Sequence, residues 1–289
     1  LLATPARLEP MGHEVGKLEE RWQFPSDHLP IGLTLERDLH IASWNVLDSK
    51  YMSWVTEKNS QGLSRSLIVD EHLFLDNSKL TVRDQHVVRL LLEMLDHPTH
   101  PKQIIALQEC GDPFLAELQK KLPPHYTLLS HEGQGMIIDA NRFEILSAHS
   151  TAKIFAAEPE RTVEEVVVRD KKSGEEIRLV NVHLPGDPTK PGRFEFADYL
   201  ARTNNPAMKT VAMGDMNFNE WEMSDAVARA FSGQRSQPTL YTPYCTNIAP
   251  VTFYSKAIDH FIVSSGSEVD LLTPEEVMVG LQPTVDLLN

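Results

Sequence analysis

Phe24-Pro25-Ser26-Asp27-His28-Leu29-Pro30-Ile31 is the stretch on which the reading of the fold turns. It is a Ser-Asp-His turn that runs straight into an apolar strand, Ile31-Gly32-Leu33-Thr34-Leu35. An Asp beside a His on a tight turn holds an imidazole in one tautomer and supplies a counter-charge. Glu36-Arg37-Asp38 is short enough to make a hairpin into a second strand, 39–47, which carries Trp44-Asn45 near its end.

Outward from this hairpin, the chain alternates strands and helices. Residues 1–23 read as a surface lead-in, with a short helix near 13–22. Residues 48–78 form a long polar connection with scattered aromatics, a length associated with function or disorder. Thr81-Val82-Arg83-Asp84 is a capping box, and the helix after it carries Val87, Val88, Leu91, Leu92 and Leu95 on one face. Gln103-Ile104-Ile105-Ala106-Leu107-Gln108 suits a buried strand, and a helix follows at 113–121. From 126 to 183 the pattern is mostly strand, with a hairpin turn at Lys172-Ser173-Gly174-Glu175. Helices are expected at 193–202 and 222–231, and strands at 210–214 and 257–263. Residues 239–252 read as loop, and no element is assigned after 273.

Composition bounds the function. The chain has 289 residues, 41% of them hydrophobic, and a net charge of −14 with His neutral. That length suits one large α/β domain or two small ones. A chain this acidic is a poor match for a long duplex held by its phosphates. It suits a local pocket for a short segment, or a small phosphate ester, with acidic groups gathered about a cation. The two cysteines, Cys110 and Cys245, are too few for a disulfide framework and point to a reducing compartment such as the cytoplasm. No apolar run reaches membrane-span length and no signal-peptide pattern is visible. The start at Leu1-Leu2 without Met leads to the expectation that a natural N-terminal segment precedes it.

Five strand ends finish in polar groups able to bind a metal or a phosphate. They are Trp44-Asn45, Gln108-Glu109, Asn181-Val182-His183, Gly214-Asp215-Met216-Asn217 and Ile258-Asp259-His260. Taken singly, each is more often a cap or a turn residue. Falling together at the ends of apolar strands, with Asp27-His28, they form a set.

That set resembles the endonuclease/exonuclease/phosphatase superfamily, whose motifs are Trp-Asn-Val, Gln-Glu, Asn-x-His-Leu, Gly-Asp-x-Asn, Ile-Asp and Ser-Asp-His. The resemblance covers nearly the whole chain outside 48–78 and the ends. It implies one domain over 1–289, an α/β/β/α four-layer sandwich with two mixed β-sheets. Ser-Asp-His is last in the family and first here, while the other motifs keep their order. Circular permutation is the simplest explanation, with 1–38 as the permuted terminal segment, 39–272 the main body and 273–289 a tail. A fragment of a tandem array and a domain swap are the alternatives.

Phe24-Pro25-Ser26-Asp27-His28-Leu29-Pro30, Trp44 to Tyr51, and His183-Leu184-Pro185-Gly186-Asp187-Pro188 look like the deadenylase branch, which includes nocturnin and angel. The resemblance implies a Mg²⁺-dependent, or Mn²⁺-dependent, 3′ exoribonuclease with adenylate preference. In it, Glu109 and Asn45 hold the metal, with Asp259 beside or behind them. Asp215 orients the attacking water, Asn217 holds water or phosphate, and His28, oriented by Asp27, meets the phosphoryl oxygen or the leaving group. His183 bonds a non-bridging oxygen. Pro188 and Tyr254, the latter alternatively Phe253, sandwich an adenine, and Asn181 belongs to the substrate-binding set. His260 reads as a strand-face residue. Two other readings stand beside this one: a phosphatase on a nucleotide, dinucleotide or inositol phosphate, and a catalytically dead binding module, against which the intact motifs argue. The partner is thus a single-stranded RNA 3′ end or a small phosphorylated molecule.

Overall fold

The structure is a computed structural model that describes residues 26, 28–48, 50, 82–147, 150–187, 189–242, 247–248 and 255–279. Thr81, the 13–22 helix and the 49, 51–78 part of the long connection lie outside the described residues.

The first two strands set the frame. β1 (Ile31–Leu35) and β2 (Leu39–Asn45) pair antiparallel, Leu35 opposite Leu39, across the three-residue turn expected from sequence. On its other edge β1 pairs with β15 (Val269–Leu271), a strand the sequence reading left unassigned. β2 lies parallel to β3 (Ile104–Gln108), which pairs antiparallel with β5 (Gln134–Asp139), and β4 (Tyr126–His131) closes that edge. The sheet order is β15-β1-β2-β3-β5-β4.

The second sheet has seven strands. Its path runs through β11 (Thr239–Tyr241), β14 (Asp259–Val263), β10 (Lys209–Asp215), β9 (Glu176–His183), β8 (Val163–Asp170) and β6 (Phe143–Ile145), with β7 (Ser150–Ala152) also on β8. Here β9 and β10 are the parallel pair, as β2 and β3 are in the first sheet, so both sheets are mixed. Part of the 239–252 loop expected from sequence is therefore strand. β11 has three residues, too short to show alternation, and exists because β14 offers it a paired edge. Among the described residues Asn247–Ile248 (β12) and Ser255–Lys256 (β13) pair with each other as a separate two-stranded sheet.

Period-two alternation divides each strand between two layers. Ile31, Leu33, Leu35, Leu39 and Ile41 meet Val166, Leu179, Val211, Met213 and Phe261 between the sheets. Ala42, Trp44, Ile105 and Leu107 face outward onto α1 (Val82–Leu95) and α2 (Asp112–Lys121). Val180, Val182, Ala212 and Ile262 face outward onto α3 (Gly192–Arg202) and α4 (Glu220–Ala230). The result is the four-layer α/β/β/α sandwich.

A short helix, α5 (Pro274–Val277), held by a Thr273 capping box, docks on β1. A Cβ on Gly32 would sit 2.8 Å from Val277 Cγ2, so glycine there lets the helix come close. Lys102 Nζ donates to the Glu276 carbonyl and His97 Nε2 to that of Glu275, fixing the segment from the other side.

Candidate active site

The same alternation that builds the core builds the site. On β2 the inward positions are 39, 41, 43 and 45; on β10 they are 211, 213 and 215. At one end of the sandwich these inward rows stop being apolar. Asn45 and Gln108 are cross-strand partners in the first sheet. In the second sheet Asp215 is opposite His183 on one side and Asp259 on the other. β14 runs antiparallel to β10, so Asp259 opens its strand at the level where Asp215 closes its own. Asn45, Asp215 and Asp259 are buried, as is His28, while Glu109, His183 and Asn217 are partly buried.

Asp215 is the hub. Its Oδ2 accepts from Asn45 Nδ2 at 3.0 Å and lies 3.4 Å from His183 Nε2 and 3.6 Å from His28 Nε2. Its Oδ1 accepts from the Asn217 backbone N–H at 2.9 Å. Asn45 Nδ2 also donates to Glu109 Oε1 at 3.0 Å, and Glu109 Oε1 lies 3.6 Å from His183 Nε2. The Asn45 side-chain oxygen accepts from the Leu47 N–H at 3.0 Å. Asn217 Nδ2 donates to the Leu184 carbonyl at 2.9 Å.

His28 is held from a distance of 231 residues in sequence. Its Nδ1 pairs with Asp259 Oδ2 at 2.9 Å, which leaves Nε2 facing Asp215. Asp27, expected to orient the ring, lies outside the described residues; the described partner of the imidazole is Asp259. The backbone around His28 is pinned as well. Trp44 Nε1 donates to its carbonyl at 3.0 Å, and its N–H donates to Ser26 Oγ, which donates to the Asn45 carbonyl at 2.7 Å.

Backbone conformation is forced at the same end. Leu47, Glu109 and Asn217 have φ of 59°, 56° and 55°, a region that costs an L-residue about 1–2 kcal/mol. Such strain gathers where a side chain must be aimed. Gly214 has φ 144°, and a Cβ there would fall 1.9 Å from the Val182 carbonyl oxygen. Only glycine lets β10 lie against β9 immediately before Asp215.

Electrostatics follow from burial. Burial pushes the Asp215 carboxyl up to about 7, helped by the Asp259 and Glu109 charges and opposed by His28 and Asn45. Burial, with Arg161, His28 and Lys50 nearby, holds His183 well below the usual histidine value, so its ring is neutral. Ligand atoms of Glu109, His183 and Asp215 lie within 4.8 Å of one another, as do those of His28, Asp215 and Asp259. Three carboxylates crowded into a buried site fit a hard divalent cation such as Mg²⁺ or Mn²⁺, whose charge would relieve them.

The structure does not bring every expected residue into the pocket. Asn181 lies one inward position deeper than His183. Its Nδ2 donates to the Leu107 and Gly135 carbonyls and to Glu164 Oε2, and its oxygen accepts from Gln108 Nε2 at 2.7 Å. His260 faces outward on β14, bonded to the Phe218 carbonyl and to Thr242 Oγ1. Pro188, Phe253 and Tyr254 lie outside the described residues. Sequence reasoning gave no role to Arg83, Glu164 or Arg161. Arg83 bonds the Val46 and Leu47 carbonyls, and Arg161 Nη1 bonds those of His183 and Leu184 at 3.3 and 3.1 Å. A hydrogen bond to a backbone carbonyl leaves no spacing signature, so nothing in the sequence marks these two arginines.

No family model and no curated protein matches the sequence. Solved structures do match the fold. A mannosyl-6-phosphatase from Bacteroides thetaiotaomicron superposes with a TM-score of 0.53 at 16% identity, over 82% of this chain and 100% of that one. The human nocturnin catalytic domain with bound sulfate gives 0.52 at 17%, over 85% and 92%. D. rerio TDP2 complexed with a single-strand DNA product gives 0.50 at 17%, over 78% and 84%. The chain has the endonuclease/exonuclease/phosphatase fold. Among the described residues no helix is long and apolar enough to cross a membrane.

Proposed function

We propose that the chain is a metal-dependent phosphoric ester hydrolase, and that its substrate is a single-stranded RNA 3′ end, cleaved with adenylate preference. The observation that carries the hydrolase reading is the convergence on Asp215 of Asn45, His183 and His28 from separate strands and turns.

Glu109 is the residue that would hold Mg²⁺, with Asp259 behind His28; Asn45, expected beside it as a ligand, turns its side-chain oxygen to the Leu47 N–H and its Nδ2 to Glu109, so it positions that carboxylate instead. The cation supplies charge relief at the phosphorus and at the leaving oxygen. Asp215 takes the proton of the attacking water, and its Oδ1 is fixed by the Asn217 N–H. His28, with Nδ1–H on Asp259, passes a proton to the leaving group when its ring is doubly protonated, the Nε2–H going to the leaving oxygen and the neutral ring remaining. Neutral His183 points Nε2 at the place where a non-bridging oxygen would sit.

The adenylate preference rests on the resemblance of 24–30 and 183–188 to deadenylases and on a fold shared with nocturnin. We also read the placement of Ser-Asp-His as a circular permutation. In support, β1 joins β2 through three residues and pairs with β15 on its other edge. The second functional reading is a phosphatase on a small phosphorylated molecule. The net charge of −14 favours it, and a mannosyl-6-phosphatase has the same fold.

A turnover assay with Mg²⁺ on 3′-oligo(A) RNA, an oligo(U) control and a panel of phosphorylated nucleotides, inositols and sugars separates them. Progressive shortening of oligo(A) is expected. Phosphate release from a small molecule with RNA untouched would move the chain to the second reading. Silence on every substrate, with Mg²⁺ and with Mn²⁺, would contradict both.

A further inference from the structure

We propose that Arg193 and Trp221 form a second subsite beside Asn217. It takes the neighbouring nucleotide of a single-stranded nucleic acid, the phosphodiester on the Arg193 guanidinium and the base on the Trp221 indole. This rests on the hydrolase reading above and names the class of its substrate.

Arg193 is the second residue of α3. Its guanidinium carbon lies 4.6 Å from the Phe194 ring centroid and 4.7 Å from that of Phe218. Phe218 directly follows Asn217, so the cation stands one residue from the catalytic loop. The start of α3 is packed onto the same loop. A Cβ on Gly192 would come 2.9 Å from Pro185 Cδ, and Asn217 Nδ2 bonds the Leu184 carbonyl.

Among the described residues no carboxylate neutralises Arg193, whereas Arg229, which lies over the same Phe194 ring, holds Asp225 at 2.9 Å. The Arg193 Nη1 is buried with no hydrogen-bond acceptor among the described residues. In a chain of net charge −14, a guanidinium fixed by two rings and left without an anion is set up for one from outside. The two rings hold its plane, and a phosphate oxygen would meet the guanidinium nitrogens other than the buried Nη1, Arg193 being only partly buried.

Trp221 stands 71% exposed in the first turn of α4, four residues beyond Asn217. Trp221, Asp225 and Arg229 share one stripe at four-residue spacing. The Arg229 guanidinium lies 5.5 Å from the Phe194 centroid, so that stripe borders the Arg193–Phe194 pair. Trp221 follows Phe218, the ring that carries the Arg193 guanidinium, by three residues, and an indole and a guanidinium so placed stack a base and hold its phosphate without reading sequence.

The test is fluorescence anisotropy of a labelled oligo(A) RNA across a KCl series, with Mg²⁺, on the full chain carrying Glu109→Ala to prevent cleavage. Adding Arg193→Met should weaken binding about tenfold and reduce the slope of log K against log salt by about 0.7, the loss of one single-strand phosphate contact. Arg193→Lys should keep the slope. Trp221→Ala should weaken binding about tenfold with the slope unchanged. A merely structural role for Arg193 would lower the melting temperature and leave the slope alone, overturning the proposal. So would parent-like affinity in folded Arg193→Met and Trp221→Ala, or no binding by the parent. Hydrolysis of a small phosphate ester, lost on Glu109→Ala, would in those cases leave the hydrolase reading standing.

Discussion

Asp215 and Gly214 show how far single residues carry this site. Replacing Gly214 by alanine drives a methyl into the Val182 carbonyl, 1.9 Å away, at a φ of 144°. The expected loss is about 4 kcal/mol or more, read as a collapse of the urea midpoint. Gly174, at φ 78° with nothing within 4 Å, is the control, and its alanine variant should lose only about 1 kcal/mol. Asp215 ties stability to pH. In the folded chain it keeps its proton up to about 7, whereas unfolded it releases the proton near 3.8. Between those values the folded state binds more protons, so this group's contribution falls as pH rises. His183 works in the opposite direction: its folded value is depressed, so its contribution grows as pH rises through 6.5. Asp215→Asn removes only the first effect. With EDTA present, the variant should gain stability over the parent between pH 5 and pH 8, by urea unfolding. An equal gap at both pH values would contradict the assignment.

At the scale of elements, the strands were legible as short apolar runs between turn signals, buried throughout, with successive residues divided between two layers. Residues 31, 33 and 35 face the inter-sheet core, and the same period carried forward marks Asn45, Asp215 and Asp259 as inward and His260 as outward. The reach of His28 was less legible. Its neighbour in sequence is Asp27, but its described partner, Asp259, arrives through a sheet that alternation cannot connect. β11 and β15, each of three residues, are too short to carry a period of their own and depend on the edges of β14 and β1. The N-terminal strand is part of the core. Leu33→Ala should cost about 2–5 kcal/mol, the range for a buried leucine, measured by denaturant unfolding. A change below 0.5 kcal/mol would mean that β1 does not belong to this sheet.

For the whole molecule, the question is whether one chain completes its own site. His28 and Glu109 belong to two clusters that share Asp215 within a single chain. Mixing equal amounts of His28→Ala and Glu109→Ala proteins should therefore restore no activity. Recovery of turnover in the mixture would mean that Ser-Asp-His is exchanged between copies. On the proposed reading, the net charge of −14, the buried carboxylates and the histidines paired with them serve one reaction, hydrolysis of a phosphate ester with a divalent cation. The most direct test is the Mg²⁺-dependent turnover of the intact chain beside Glu109→Ala and His28→Ala, all three shown folded by circular dichroism. The account requires cleavage by the intact chain and a fall of about 10²-fold or more in each variant. Near-parental activity in either folded variant would contradict it.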